Sequence, residues 1–251
     1  MPILRCLLFL VVLSTPALAQ DGSRVAARGE DAARALRLYL DEVAKSGQRP
    51  DYTKPPAAGL IRQVFDPEQL TALPPPGAGD MAWVLDWVDA VKETNKRIMF
   101  FGTKFGPDFD RTVLGQNLKE YEDQYAVGMT FELRLLAREV TTVFLFMEQL
   151  TPEQRTPIRE AGLQKMRAGG AEMIENEICP VVAGMTPANA RLITGAMRDT
   201  RDVWARLILP DDRSRLIAAL ARARHLVNDD EVRDNVAVFA DRLSAEQGNA
   251  K

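Results

Sequence analysis

The sequence predicts an all-α protein: an up-and-down helical bundle of five to six helices behind an irregular, proline-rich N-terminal arm. Three observations carry that class. Apolar residues recur once per helical turn along most of the chain, and threonine–proline pairs stand repeatedly where helices begin. No run of alternating β-branched residues competes as strand. The predicted connections are short, two to seven residues, which makes consecutive helices antiparallel neighbours.

The first nineteen residues stand apart from the bundle. Arg5 precedes an apolar run over residues 6–13, Ser14-Thr15-Pro16 breaks it, and Ala17-Leu18-Ala19 supplies small residues. That order is the anatomy of a secretory signal peptide, with cleavage expected between Ala19 and Gln20. The run is shorter than the roughly 20 apolar residues that cross a bilayer. The expected destination is the periplasm, with no transmembrane segment in the mature chain.

Residues 20–79 read as the arm. One good helix spans 31–45, where Leu36, Tyr39, Leu40 and Val43 share a face and Ser46-Gly47 is the stop. Seven of the fifteen prolines then fall between Pro50 and Pro76. Proline lacks a donor and fixes φ, so the stretch is expected to contain no regular helix beyond a short turn capped by Asp66 ahead of Pro67. Pro74-Pro75-Pro76-Gly77 reads as the linker.

The bundle is expected over 80–246, with a disordered tail at 247–251. Asp80 is the expected cap of a helix whose stripe is Trp83, Val84, Trp87, Val88 and Val91. Residues 98–109, four phenylalanines among Gly102, Gly106 and Pro107, read as a loop packing its rings on the bundle or covering a ligand. Residues 110–150 are one long helix or two broken at Gly128. Thr151-Pro152-Glu153-Gln154 starts the next by a capping box, and Pro180 is expected to end it. Thr186-Pro187 starts another that runs to about Leu209, and Pro210-Asp211 one that runs to about Val227. Asn228 and Glu231 cap the last, where Val232, Val236, Phe239 and Leu243 form a buried seam.

The two Thr-Pro starts lie 35 residues apart and mark a candidate repeat of helical hairpins. Leu150-Thr151-Pro152-Glu153-Gln154 also resembles the Leu-Thr-x-x-Gln motif of Spy-type periplasmic chaperones. The resemblance covers five residues of 251, and the second start lacks the glutamine. It implies a small helical protein that binds unfolded clients.

Composition narrows the partners. Removing Arg5 with the signal leaves 31 basic residues against 35 acidic, a formal charge of −4. That balance argues against nucleic acid, which is usually met by a basic patch. Cys6 leaves with the signal, so Cys179 stands alone, either buried and inert or bridging two chains as a homodimer.

Chemistry-bearing residues are few. His225 is the one histidine and projects away from its helix's apolar side. Histidine-based zinc sites, ferritin-type di-iron sites and covalent haem attachment therefore lack their ligands. No glycine-rich phosphate loop is present, so no metal and no cofactor is expected. Met166 and Met173 read as gap-fillers beside Gly162, Gly169 and Gly170. One anomaly remains. On a helical wheel Glu132 and Glu139 fall inside the apolar arc of Met129, Leu133, Leu136, Val140, Val143, Phe144 and Met147, about 10 Å apart along the axis. Tyr121 and Tyr125 share that side if the helix continues through Gly128. Glu177 repeats the theme beside Leu163, Met173 and Ile174. A carboxylate on an apolar face must be paired, protonated or ligand-bound. Tyr121, Tyr125, Glu132 and Glu139 are the candidate ligand-binding residues, with an ion pair to Arg198 or Arg201 as the purely structural alternative. The functional expectation is a secreted, non-catalytic protein that binds a small apolar ligand, a peptide or a protein. A Spy-like chaperone, and an enzyme using the paired carboxylates, are the alternatives.

Overall fold

The computed structural model describes residues 16–103 and 119–248, with side chains over 21–102 and 119–246. Residues 1–15 of the expected signal (1–19), the phenylalanine-rich segment beyond Thr103 and the end of the tail lie outside the described residues. Every regular element among the described residues is helical. The elements are α1 (Pro16–Lys45), α2 (Ala57–Val64), α3 (Pro67–Thr71), α4 (Met81–Thr103), α5 (Glu122–Gln149), α6 (Pro157–Met173), α7 (Cys179–Gly184), α8 (Pro187–Asp199), α9 (Arg201–Leu207), α10 (Pro210–Leu226) and α11 (Asp230–Gly248). That is more than the five or six expected. The extra pieces arise where helices break and where the proline-rich stretch proves partly helical.

The chain forms two compact units: one of Pro16–Pro75 with Trp83–Leu136, the other of Pro76–Ala82 with the chain from Ala137 onward. In the first, the N-terminal unit, α1 is a single helix of 30 residues, twice the span expected from 31–45. Its buried seam is Gly22, Val25, Ala26, Gly29, Ala33, Leu36 and Leu40, spaced at helical intervals. The first part of that seam is made of small residues, and α4 packs its tryptophans onto it. A β-carbon on Gly22 would stand 3.0 Å from Trp83, and one on Gly29 would stand 2.5 Å from Trp87 Cε2. Phe131 from α5 meets the fully buried Trp87 edge-on at 5.8 Å between ring centroids.

The proline-rich stretch corrects an expectation. Pro55 and Pro56 precede α2 and leave its interior free, so Ala57, Ile61 and Val64 bury one face while α2 packs on α1. Asp66 does cap α3, accepting the Glu68 N–H at 3.0 Å. Residues 98–103 are likewise not loop but the last turns of α4, with Ile98 and Phe101 buried.

In the C-terminal unit Asp80 ends a 3-10 turn, Ala78–Asp80, rather than capping α4 through its side chain. Its carboxylate accepts the Gly77 N–H and pairs with Arg138 at 3.1 Å, both side chains nearly buried. Burial lowers the Arg138 pKa and the Asp80 charge opposes that shift. Thr151 to Gln154 closes a 3-10 turn, with the Thr151 N–H donating to Gln154 Oε1 at 3.0 Å. The α-helix starts later, at Thr156-Pro157.

Pro180 does not end the helix. The chain passes from α6 through one π-helical stretch, Ile174–Ile178, into α7. The Cys179 N–H reaches back to the Ile174 carbonyl, five residues away, and this wider turn accommodates the ring that follows. The inserted residue also rotates the face. Glu177 is exposed rather than set among apolar neighbours, and Glu175 turns partly inward to pair with Arg215 at 2.7 Å.

Thr200 splits the expected 187–209 helix into α8 and α9. The buried Arg213 donates to the carbonyls of Ala205 and Ile208 at 3.1 and 3.2 Å, satisfying the C-terminal end of α9. The α11 seam is buried as expected, with Val232, Phe239 and Leu243 at 0% exposure and Val236 at 2%. It packs against α8, α9 and α10. Its cap is Asp229 rather than Asn228, accepting the Val232 N–H at 3.1 Å.

Candidate functional site

The long α5 runs unbroken through Gly128, because glycine there is a seat and not a breaker. A β-carbon at Gly128 would collide with Asn95 Oδ1 of α4 and stand 3.3 Å from the Phe65 ring. One turn along α5, Glu132 accepts a 2.5 Å hydrogen bond from Asn95 Nδ2. Gly128 and Glu132, four residues apart, therefore share a face that receives one buried amide. Asn95 and Glu132 are 7% and 8% exposed, so the carboxylate is held inside the unit. Its charge also reaches Lys96, whose pKa is raised first by the hydrogen bond to Glu93 and then by the charges of Glu93 and Glu132, against partial burial.

Glu139 is buried too, at 5% exposure, but belongs to the C-terminal unit. Both glutamates are engaged by neighbours. Arg198 and Arg201, the cations expected beside them, bind elsewhere: Arg198 donates to Asn235 Oδ1 and Arg201 to the Arg198 carbonyl.

The tyrosines have a different job. Tyr121 lies in the turn before α5, where its carbonyl accepts the Tyr125 N–H. Its ring meets Tyr52 edge-on at 5.4 Å and its hydroxyl donates to the Pro50 carbonyl at 3.4 Å. Burial, with the Glu120 charge adding, pushes its pKa up to about 12. Tyr121 thus fastens the proline-rich segment, about 16 Å along the helix axis from Glu132. Tyr125 is buried.

Two other residues weighed from the sequence are plain in the structure. His225 is exposed near the end of α10. Cys179 is buried, and that burial, with the Glu175 charge adding, pushes its thiol up to about 12, far from the thiolate a nucleophile needs. Among the described residues no three His, Cys, Asp or Glu side chains gather as a metal site. No described helix is long and apolar enough to cross a membrane.

What the sequence did not reveal is an open groove in the N-terminal unit, of about 620 Å³, lined by Arg37 and Asp41 of α1 and Glu93, Lys96, Arg97, Met99 and Phe100 of α4. Its volume falls within the range of roughly 300–1,000 Å³ usual for small-molecule sites. The lining follows from register: Arg37 and Asp41 are four apart on one helix, and Glu93, Lys96, Arg97 and Phe100 recur at helical intervals on the other. Arg97 donates Nε to Asp41 Oδ1 at 2.7 Å, and its guanidinium lies 5.1 Å from the Phe100 ring centroid. Lys96 is bonded to Glu93 at 2.7 Å. That bond, with the charges of Lys96 and Arg37, holds the Glu93 pKa below its usual value. Glu93 is therefore a fixed anion at neutral pH, the reverse of a general acid, which needs a raised pKa. The groove can hold and orient a solute.

No known protein family, curated protein or solved structure matches the chain.

Proposed function

We propose that this chain is an exported, non-catalytic binding protein, and that its capture surface is the groove between α1 and α4. Export is inferred from the leader-like order of Arg5, the apolar run 6–13 and Ala17-Leu18-Ala19, which points to the periplasm. The single observation that supports the binding role is the groove itself, a recess of ligand size where charged side chains adjoin Met99 and Phe100. The buried carboxylate that suggested catalysis gives that reading little support, since Glu132 is occupied by the Asn95 amide. The chaperone motif adds nothing to it either: what stands there is one 3-10 turn, in which the Thr151 N–H donates to Gln154 Oε1.

Calorimetric titration of the mature chain tests the role, using a panel of small amphiphiles of either charge, neutral apolar solutes and short peptides. Saturable one-to-one binding of at least one class is expected, weakened by Phe100→Ala in a variant whose helical circular-dichroism spectrum matches the wild type. Absence of binding across the panel, or binding indifferent to Phe100→Ala, overturns it.

A further inference from the structure

We infer that the α1–α4 groove selects an amphipathic monoanion: a small carboxylate with an aliphatic or aromatic tail. The inference rests on the groove being the capture surface. The charges of the lining are unequally committed. Arg97 is tied to Asp41 and Lys96 to Glu93. Arg37, half-buried on α1, is the third cation of the lining and has no ion pair or hydrogen bond among the described residues. Its charge reaches Glu93, yet among the described residues no carboxylate forms an ion pair with it. Among the described lining residues three cations face two anions, which leaves one positive charge for a solute to meet.

The geometry of an arginine fits that charge. A guanidinium presents paired N–H groups that match both oxygens of a carboxylate, and such charge-assisted bonds are the strong ones. Met99 and Phe100, both half-buried in the same lining, supply apolar surface for the rest of the solute. Methionine adapts its shape to different tails, so selection is expected for head-group charge over exact tail structure. A dianion fits less well, because Asp41 and Glu93 stand in the same lining and repel the second charge. Neutral amphiphiles leave Arg37 unpaired, and an anion without a tail forgoes the apolar contact.

The probe is decanoate, titrated calorimetrically below its micelle concentration, against decanol and acetate as the charge-free and tail-free controls. Decanoate is expected to bind one-to-one, with acetate and decanol each weaker by about tenfold or more. Arg37→Gln is expected to cut decanoate affinity by a similar factor while leaving the melting temperature unchanged, since Arg37 forms no hydrogen bond or ion pair among the described residues. Arg37→Lys, which keeps the charge and loses the fork, should fall between. Decanoate affinity unchanged by Arg37→Gln, or decanol binding as well as decanoate, overturns the monoanion assignment. If another member of the wider panel binds through Phe100 while decanoate does not, the inference falls and the binding role stands. If nothing binds, both fall.

Discussion

At the scale of single residues, the small side chains decide how closely helices approach. Gly29 sits under Trp87, and any β-carbon there enters the indole. Because Trp87 is fully buried between α1 and Phe131, it has little room to retreat. Gly29→Ala is therefore expected to destabilise the protein by about 1–3 kcal/mol, the usual cost of overpacking. Gly59 in α2 is the matched control, since nothing lies within 4 Å of the added carbon. Gly59→Ala should instead stabilise by about 0.5–1 kcal/mol, because alanine is the better helix former. Urea denaturation of both variants checks the pair, and equal effects would contradict the close-approach account. Residues of this kind are hard to read from sequence. Gly22, Ala26, Gly29 and Ala33 keep helical spacing, yet small residues carry little hydrophobic signal, so residues 20–30 read as irregular. Glu132 was legible as an anomaly because a carboxylate on an apolar arc contradicts the pattern. Its partner was not, because Asn95 is 37 residues away on another helix.

Elements show the same division between local and distant causes. The α11 seam was legible in full: four apolar residues at 4-3-4 spacing leave a helix only one side to bury. Phe239→Ala should cost about 3–5 kcal/mol, as a fully buried aromatic leaves a cavity. Leu226→Ala, at 65% exposure on the end of α10, should change stability by less than about 0.5 kcal/mol. Chemical denaturation of the two variants separates them; a Phe239→Ala loss no larger than that of Leu226→Ala would mean the seam is not packed. Where the sequence misled, a local rule met a tertiary alternative. Pro180 ordinarily stops a helix, but a π turn over Ile174–Ile178 lets the chain continue and swings Glu175 toward Arg215. A capping box ordinarily opens an α-helix, but the one at Thr151 closes a single 3-10 turn, and Thr156-Pro157 begins the helix proper. The number of helices rises for these reasons and not because the class changes.

For the whole molecule, acid sensitivity is expected from one carboxylate in each unit. Asp51 is held at about 2 by hydrogen bonds from Lys54 first and then from Thr53. Asp229 is held at about 2 by Arg191 first, then by the Val232 N–H of α11. Both folded values lie below the unfolded value near 3.9. Their stabilisation is therefore complete above about pH 4 and is lost as pH falls toward 2. The melting temperature should drop across that window, and Asp229→Asn should flatten the drop while lowering the plateau above it. An identical pH profile for wild type and Asp229→Asn would remove Asp229 from the account.

The sequence by itself determined the helical class, because period-3.6 burial and the lack of alternating patterns are properties of neighbouring residues. It also determined the α11 seam, the exposed His225 and the oddness of Glu132 and Glu139, which follow from one helix at a time. Only the tertiary structure decided that Asn95 occupies Glu132, that glycines seat tryptophans, and that Arg37, Lys96 and Arg97 line one groove. Those outcomes depend on which faces of two separate helices meet, and a contact between distant segments leaves no periodic trace along either.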